Sequence, residues 1–177
     1  MINNYTYRLK TVLFFIGKIQ LYLSGIPFTF VVLLVLMVYV SRKEHFNAAH
    51  KLFNSKWSQE KNLEIYGPCA NENWHGHNFE LIVTVKGIPD PDTGFVVDMK
   101  KLGDLVKRDV INQVDHKNLN LDVPFMAGKL ASCENLIMEF WKILEPSVND
   151  LTPNGKLYCL RLYETPRNYV EYYGESH

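Results

Sequence analysis

Between Cys69 and His77 the chain reads Cys-Ala-Asn-Glu-Asn-Trp-His-Gly-His, a thiol six residues ahead of two histidines that flank one glycine. In an extended strand, residues i and i+2 point to the same face, so His75 and His77 can present two imidazoles side by side. Neutral imidazole nitrogens suit zinc. His50, at the end of His-Phe-Asn-Ala-Ala-His, is the natural third ligand. Three protein ligands leave a fourth position open, as a catalytic zinc requires; Cys69 in that position would instead close a structural site. Asp115-His116 offers a second chemistry, because a carboxylate can fix an imidazole's tautomer and raise its basicity near neutral pH. Sequence neighbours need not touch, and such a pair also occurs as plain loop. Glu164 ends a stripe of Tyr158, Leu160 and Leu162. A carboxylate there either reaches water or is bound, for example by two parallel N–H groups of a flat heterocycle.

The elements that must hold these groups follow from periodicity. Val38 opens a strand in which Phe46, Ala48 and His50 share a face. Lys51 to Pro68 reads as a loop or short helix, and Gly67-Pro68 sets a turn just before Cys69. His75, His77, Phe79, Leu81, Val83 and Val85 form the buried stripe of a second strand, which puts a metal at the end of the core. Gly87 to Gly94 reads as a hairpin loop, with Phe95 to Val97 as the return strand. Asp98 caps a helix that ends near Val114, and Ser132 caps a second helix that Pro146 stops. Asn154-Gly155 turns the chain into a strand from Leu157 to Glu164. Thr165 to Asn168 turns it again into a last strand, Tyr169 to Tyr173.

The 177 residues fit one domain, 37–177, plus an apolar extension over 1–36. Zero formal net charge gives no electrostatic case for a nucleic-acid partner. Cys69, Cys133 and Cys159 form no disulfide framework, which favours a reducing, cytoplasmic setting. Ile19 to Val40 carries no charged side chain and is long enough to span a bilayer, although Gly25 and Pro27 weaken a continuous helix. Lys10 and Lys18 before it and Arg42 and Lys43 after it give no orientation, and a signal peptide fits poorly. The competing reading starts the working protein at Met37. Membrane contact is expected only if residues 19–36 are a real anchor.

Taken together, the motifs resemble those of the 6-pyruvoyl-tetrahydropterin synthases from about Tyr39 to Glu175. They are Phe46-Asn47-Ala48-Ala49-His50, Gly67-Pro68-Cys69, His75-Gly76-His77-Asn78, Asp90-Pro91-Asp92-Thr93-Gly94, the run Asp115 to Pro124, Glu134-Asn135 and Tyr163-Glu164-Thr165. The resemblance implies an α+β tunnelling fold, a four-stranded antiparallel sheet with two helices on one face, assembled into a homohexamer with active sites between subunits. It implies a lyase that converts 7,8-dihydroneopterin triphosphate to 6-pyruvoyl-tetrahydropterin with loss of triphosphate and no external redox cofactor. His50, His75 and His77 then match the Zn2+ ligands, and Cys69 the proton-abstracting thiol. Asp115 and His116 complete the catalytic set, Glu164 anchors the pterin, and Glu134 is a further substrate contact. A sister family, the 6-carboxy-tetrahydropterin synthases of the queuosine pathway, shares the substrate and the histidines but releases acetaldehyde and triphosphate. There the thiol usually precedes the first histidine by four residues; the six seen here is the pyruvoyl-type spacing. Cys133 departs from the threonine often found in the pyruvoyl family, which weakens one substrate contact. A non-catalytic zinc-binding oligomer is the reading from another class.

Overall fold

The computed structural model describes the backbone of residues 15–23 and 26–34 and the whole chain from Met37 to Gly174. Its centre is a pair of long strands, β3 (Val38–His50) and β4 (His75–Gly87), numbered after a separate hairpin of β1 (Phe15–Leu23) and β2 (Ile26–Leu34). β3 and β4 run antiparallel in a register that sets His50 opposite His75 and Ala48 opposite His77. Period-two burial holds on both strands. Phe46, Phe79, Leu81, Val83 and Val85 are fully buried, and the Phe46 and Phe79 rings stack at 4.8 Å. The same alternation carries the histidines onto the buried face at the end of the stripe.

The other edge of β4 pairs with β6 (Gly155–Tyr163), which in turn pairs with β7 (Tyr169–Tyr172). A two-residue strand, β5 (Lys117–Asn118), lies parallel to β3 at Ala48 and Ala49, so the order is β5-β3-β4-β6-β7. The fold is α+β, and the sheet has five strands rather than the expected four. The extra strand is the one that delivers His116 to the sheet edge.

Phe95 to Val97 forms no return strand. β3 and β6 already occupy both edges of β4, so no ladder is free to receive it. Val96 and Val97 are buried instead, and Thr152 Oγ1 donates to the Val96 carbonyl. Asp90 organises the preceding turn by accepting from the Asp92 and Thr93 amides.

Two helical segments pack against each other and against the sheet. The first begins as α2 (Met99–Val106), where the Asp98 carboxylate accepts from the Lys100 and Lys101 amides. It continues through a π turn, Lys107–Ile111, into α3 (Asn112–Val114), ending where the sequence indicated. The second, α4 (Cys133–Leu151), is capped by Ser132 through the Asn135 amide. Pro146 does not stop it. An internal proline costs on the order of 3 kcal/mol. Full burial of Val148 returns about 1.5–3 kcal/mol, and Leu151 also packs on the core, so the helix runs on.

The β6 stripe also differs from simple alternation. Leu157 lies opposite Val85 and Cys159 opposite Thr84, which leaves Tyr158 as the extra residue of a bulge. Leu157, Leu160 and Leu162 therefore face the core, and Tyr158 stacks edge-on against Tyr39. Glu164 keeps the side expected of it, following Leu160 and Leu162.

Within Ile19 to Val40, residues 26–34 are strand β2 and Val38 opens β3, so among the described residues this stretch is not a continuous helix. The segment is rich in β-branched and aromatic residues, which favour strands. Among the described residues no helix is long and apolar enough to cross a membrane. Lys10 and the rest of residues 1–14 lie outside the described residues.

Gly87 supplies a direct test of the β4–β6 packing. A Cβ there would overlap the Asn154 carbonyl oxygen and lie 2.7 Å from the Gly155 Cα. Gly87→Ala is expected to destabilise the protein by about 3 kcal/mol, read as a lowered midpoint in urea unfolding.

Candidate metal centre and active site

His50 ends β3 and His75 begins β4, so the antiparallel register alone faces them across the ladder. His77 follows one repeat later on the same face. The ring centroids lie 4.5 Å (His50–His75), 4.9 Å (His75–His77) and 5.2 Å (His50–His77) apart. One nitrogen from each ring falls within 4.8 Å of the others. The backbone carbonyl of Ala131 accepts from His50 Nδ1 at 2.8 Å, which leaves Nε2 as the inward lone pair. His50 Nε2, both nitrogens of His75 and His77 Nε2 are buried without a hydrogen-bond partner. Buried polar atoms are rarely left unpaired. A divalent ion held by one nitrogen from each ring satisfies three of these four atoms, so this donor set fits zinc. Burial, and for His75 the neighbouring imidazoles, pushes His50 and His75 toward the neutral form a ligand needs.

The Glu164 carboxylate stands beside this cluster, with Oε1 3.4 Å from His50 Nε2 and 3.8 Å from His77 Nε2. It also lines a cavity of about 390 Å³ together with Cys69, Cys133, Glu134 and Arg167. Helix α1 (Gln59–Tyr66) ends at Gly67, whose φ of 54° opens a 3-10 turn, Gly67–Ala70, that presents Cys69. The Leu52 amide donates to the Cys69 carbonyl at 2.8 Å, fastening this turn to the chain just beyond His50. Burial raises the Cys69 thiol, and the charge of Glu164 raises it further. Glu134 sits exposed in the first turn of α4. The cavity thus brings together Cys69, Glu134 and Glu164.

Asp115 and His116 do contact each other: His116 Nδ1 lies 2.9 Å from Asp115 Oδ2. The pair is clamped to β3, with the Asn47 amide donating to Asp115 Oδ1 and the Asn47 carbonyl accepting from the His116 amide. These bonds hold His116 at φ 57°, an uncommon conformation for a residue with a Cβ. His116 is exposed and lines a second cavity, with Asn47, Gly76, His77 and Asn78. Within one chain it therefore faces a different cavity from Cys69.

The Asn47 amide lowers the Asp115 carboxyl below its ordinary value of 3.8, and His116 lowers it further. A depressed carboxyl stabilises the fold fully above its unfolded pKa, and that contribution disappears as pH falls through the folded value. Asp115→Ala is expected to lower stability at pH 7 by about 1 kcal/mol. It should also lose less stability than the parent below pH 4, as followed by thermal melts.

Three contacts had no signature in the residue pattern: the Ala131 carbonyl on His50, the Cys133 thiol beside Glu164, and Arg167 in the β6–β7 turn. Burial, and then the charge of Glu164, push the Cys133 thiol up. Only the loop ahead of the Ser132 cap could have hinted at Ala131.

A family model described as 6-pyruvoyl tetrahydropterin synthase matches residues 39–175. The chain belongs to the 6-pyruvoyl tetrahydropterin synthase family. Its human relative, a 6-pyruvoyl tetrahydrobiopterin synthase, is 40% identical over 136 residues, covering 77% of this chain and 91% of the relative. A Dictyostelium discoideum relative of the same name is 39% identical over 138 residues, covering 78% and 97%. The solved structure of Caenorhabditis elegans 6-pyruvoyl tetrahydropterin synthase superposes with a TM-score of 0.71 at 34% identity, covering 80% of this chain and 98% of that one. Family membership makes this synthase-family chain an enzyme, and the match begins one residue after Val38, where β3 opens.

Proposed function

We propose that this enzyme is a zinc-dependent lyase that converts 7,8-dihydroneopterin triphosphate to 6-pyruvoyl-tetrahydropterin and triphosphate. The observation that carries the proposal is the set of unpartnered, buried imidazole nitrogens of His50, His75 and His77 beside a cavity lined by a thiol and a carboxylate. The names of the relatives agree with it. Held by the three histidines, a zinc ion would supply Lewis acidity toward the hydroxyl-bearing side chain of the substrate.

The residues of the chain do the rest. Glu164 accepts the amide and amino N–H groups of the pterin in a two-point grip. That grip also spreads the negative charge that raises the Cys69 thiol, so binding favours the thiolate. Cys69 Sγ then removes the proton from the side-chain carbon next to the ring. His116, oriented by Asp115, takes up or returns protons as the pair redistributes hydrogen between side chain and ring. The separation of His116 from Cys69 within one chain supports a shared site, with His116 supplied by a neighbouring copy in a homohexamer. Among the described residues β7 pairs only with β6, and such an open edge invites a partner strand.

Incubation with 7,8-dihydroneopterin triphosphate and mass analysis of the products tests the proposal. A pyruvoyl pterin is the expected product. Acetaldehyde with a carboxy pterin would move the enzyme to the queuosine-type reaction, and unchanged substrate would leave a metal-binding oligomer without lyase activity.

A further inference from the structure

Resting on the three-histidine metal reading above, we propose that Trp74, held by the Lys51 ammonium, is a positioning residue. It latches the end of the β3–β4 ladder so that His50 and His75 face one another before an ion arrives. These two histidines are the last pair of that ladder. Element ends open at the lowest free-energy cost. His50 has an outer partner, the Ala131 carbonyl at 2.8 Å, which fixes its ring. A metal-ligating histidine ordinarily has such a partner on its second nitrogen. His75 has none, since neither of its ring nitrogens finds a hydrogen bond among the described residues. What orients His75 must therefore act through its backbone, and Trp74 is the residue that leads into it.

Trp74 has φ 66°, a left-handed conformation that glycine adopts freely and a bulky residue adopts rarely. Its amide donates to the Asn71 carbonyl at 3.2 Å, which closes the turn into β4. A tryptophan held this way needs a compensating contact, and the ring has one. Lys51 Nζ lies 4.8 Å from the Trp74 ring and 4.9 Å from the Phe53 ring, within cation–π range of both. Lys51 directly follows His50, and Trp74 directly precedes His75. The contact thus joins the two strands one residue beyond their last ladder pair.

Lys51 is itself anchored. Its amide donates to Asn120 Oδ1 at 3.0 Å, and Asn120 Nδ2 donates to its carbonyl at 3.1 Å. One residue earlier, the Leu119 amide donates to the Ala49 carbonyl at 2.8 Å. The segment after β5 therefore fixes the Lys51 backbone, the ammonium fixes the Trp74 ring, and the Trp74 backbone aims His75. Neither Lys51 nor Trp74 lines the cavity of Cys69 and Glu164, so the latch acts through the ligand and not on a reacting atom.

The test uses the full chain. Hydrogen exchange of the metal-free protein reads the latch, and chelator competition for Zn2+ reads its consequence. Trp74→Gly removes the ring and keeps the left-handed backbone, whereas Lys51→Met keeps an unbranched stem and removes the charge. Both are expected to speed exchange in residues 48–51 and 74–77 and not elsewhere. Trp74→Gly is expected to weaken Zn2+ binding about tenfold, and Lys51→Met about fivefold. Lys51→Arg, which keeps a cation over the rings, is expected to retain the parent affinity. Circular dichroism identifies a variant that fails to fold, and the other then carries the comparison. Faster exchange throughout the sheet would overturn the positioning role. Parent-like exchange and affinity would overturn it too, and would leave the metal reading standing. A parent that binds no Zn2+ overturns the metal reading, and exchange alone then decides for or against the latch.

Discussion

Cys69→Ala is expected to lower turnover by about 10³-fold while leaving bound metal unchanged. The thiol lines the cavity with Glu164 but is not one of the converging metal ligands, so its loss removes a proton acceptor and spares the ion. Loss of a positioned acid–base group costs between about 10² and 10⁴ in rate. A side chain that only filled the cavity wall would cost far less. The sign of the pH dependence is also fixed. Burial and Glu164 raise the free thiol above its ordinary 9.0, so the thiolate fraction of the free enzyme grows as pH rises from neutrality. The parent kcat/KM is expected to climb between pH 7 and pH 9, and this limb should be absent from the residual activity of Cys69→Ala. Steady-state kinetics across that range, with metal content measured on the same samples, decides the point. A variant that retained full turnover would remove Cys69 from the chemistry.

His75→Ala is expected to reduce metal affinity by more than about 100-fold and to abolish turnover with it. Even partners that only orient a ligand cost 10–100-fold in affinity when removed, and His75 is placed as a ligand itself. Both of its ring nitrogens are buried and unpartnered, so it has no hydrogen bond in the fold to lose. The stability of the metal-free protein should therefore change little, in contrast to His50, whose ring is held by Ala131. Elemental analysis after dialysis, paired with a thermal melt of the stripped protein, separates the two effects. Unchanged metal content in His75→Ala would contradict the three-histidine centre.

The amino-acid sequence by itself determined the grouping of the three histidines, because it is a matter of strand period. His75 and His77 share a face at a spacing of two, and the alternation that buries Phe46 and Phe79 also brings His50 to the same end of the core. The caps at Asp98 and Ser132 were equally legible, since a side chain that satisfies amides two or three residues ahead acts locally. What the tertiary structure decided was everything that depended on competition for a place. Phe95 to Val97 has the composition of a strand, but β4 had no edge left for it. Pro146 carries a stop signal that burial beyond it outweighs. The bulge at Tyr158 shifts the β6 stripe by one residue, and nothing in that residue's type announces it. The approach of Glu164 to the imidazoles, and the assignment of Cys69 and His116 to separate cavities, arise from segments far apart in the chain. Local propensity describes one segment at a time, whereas these features follow from how many segments must share one sheet and one core.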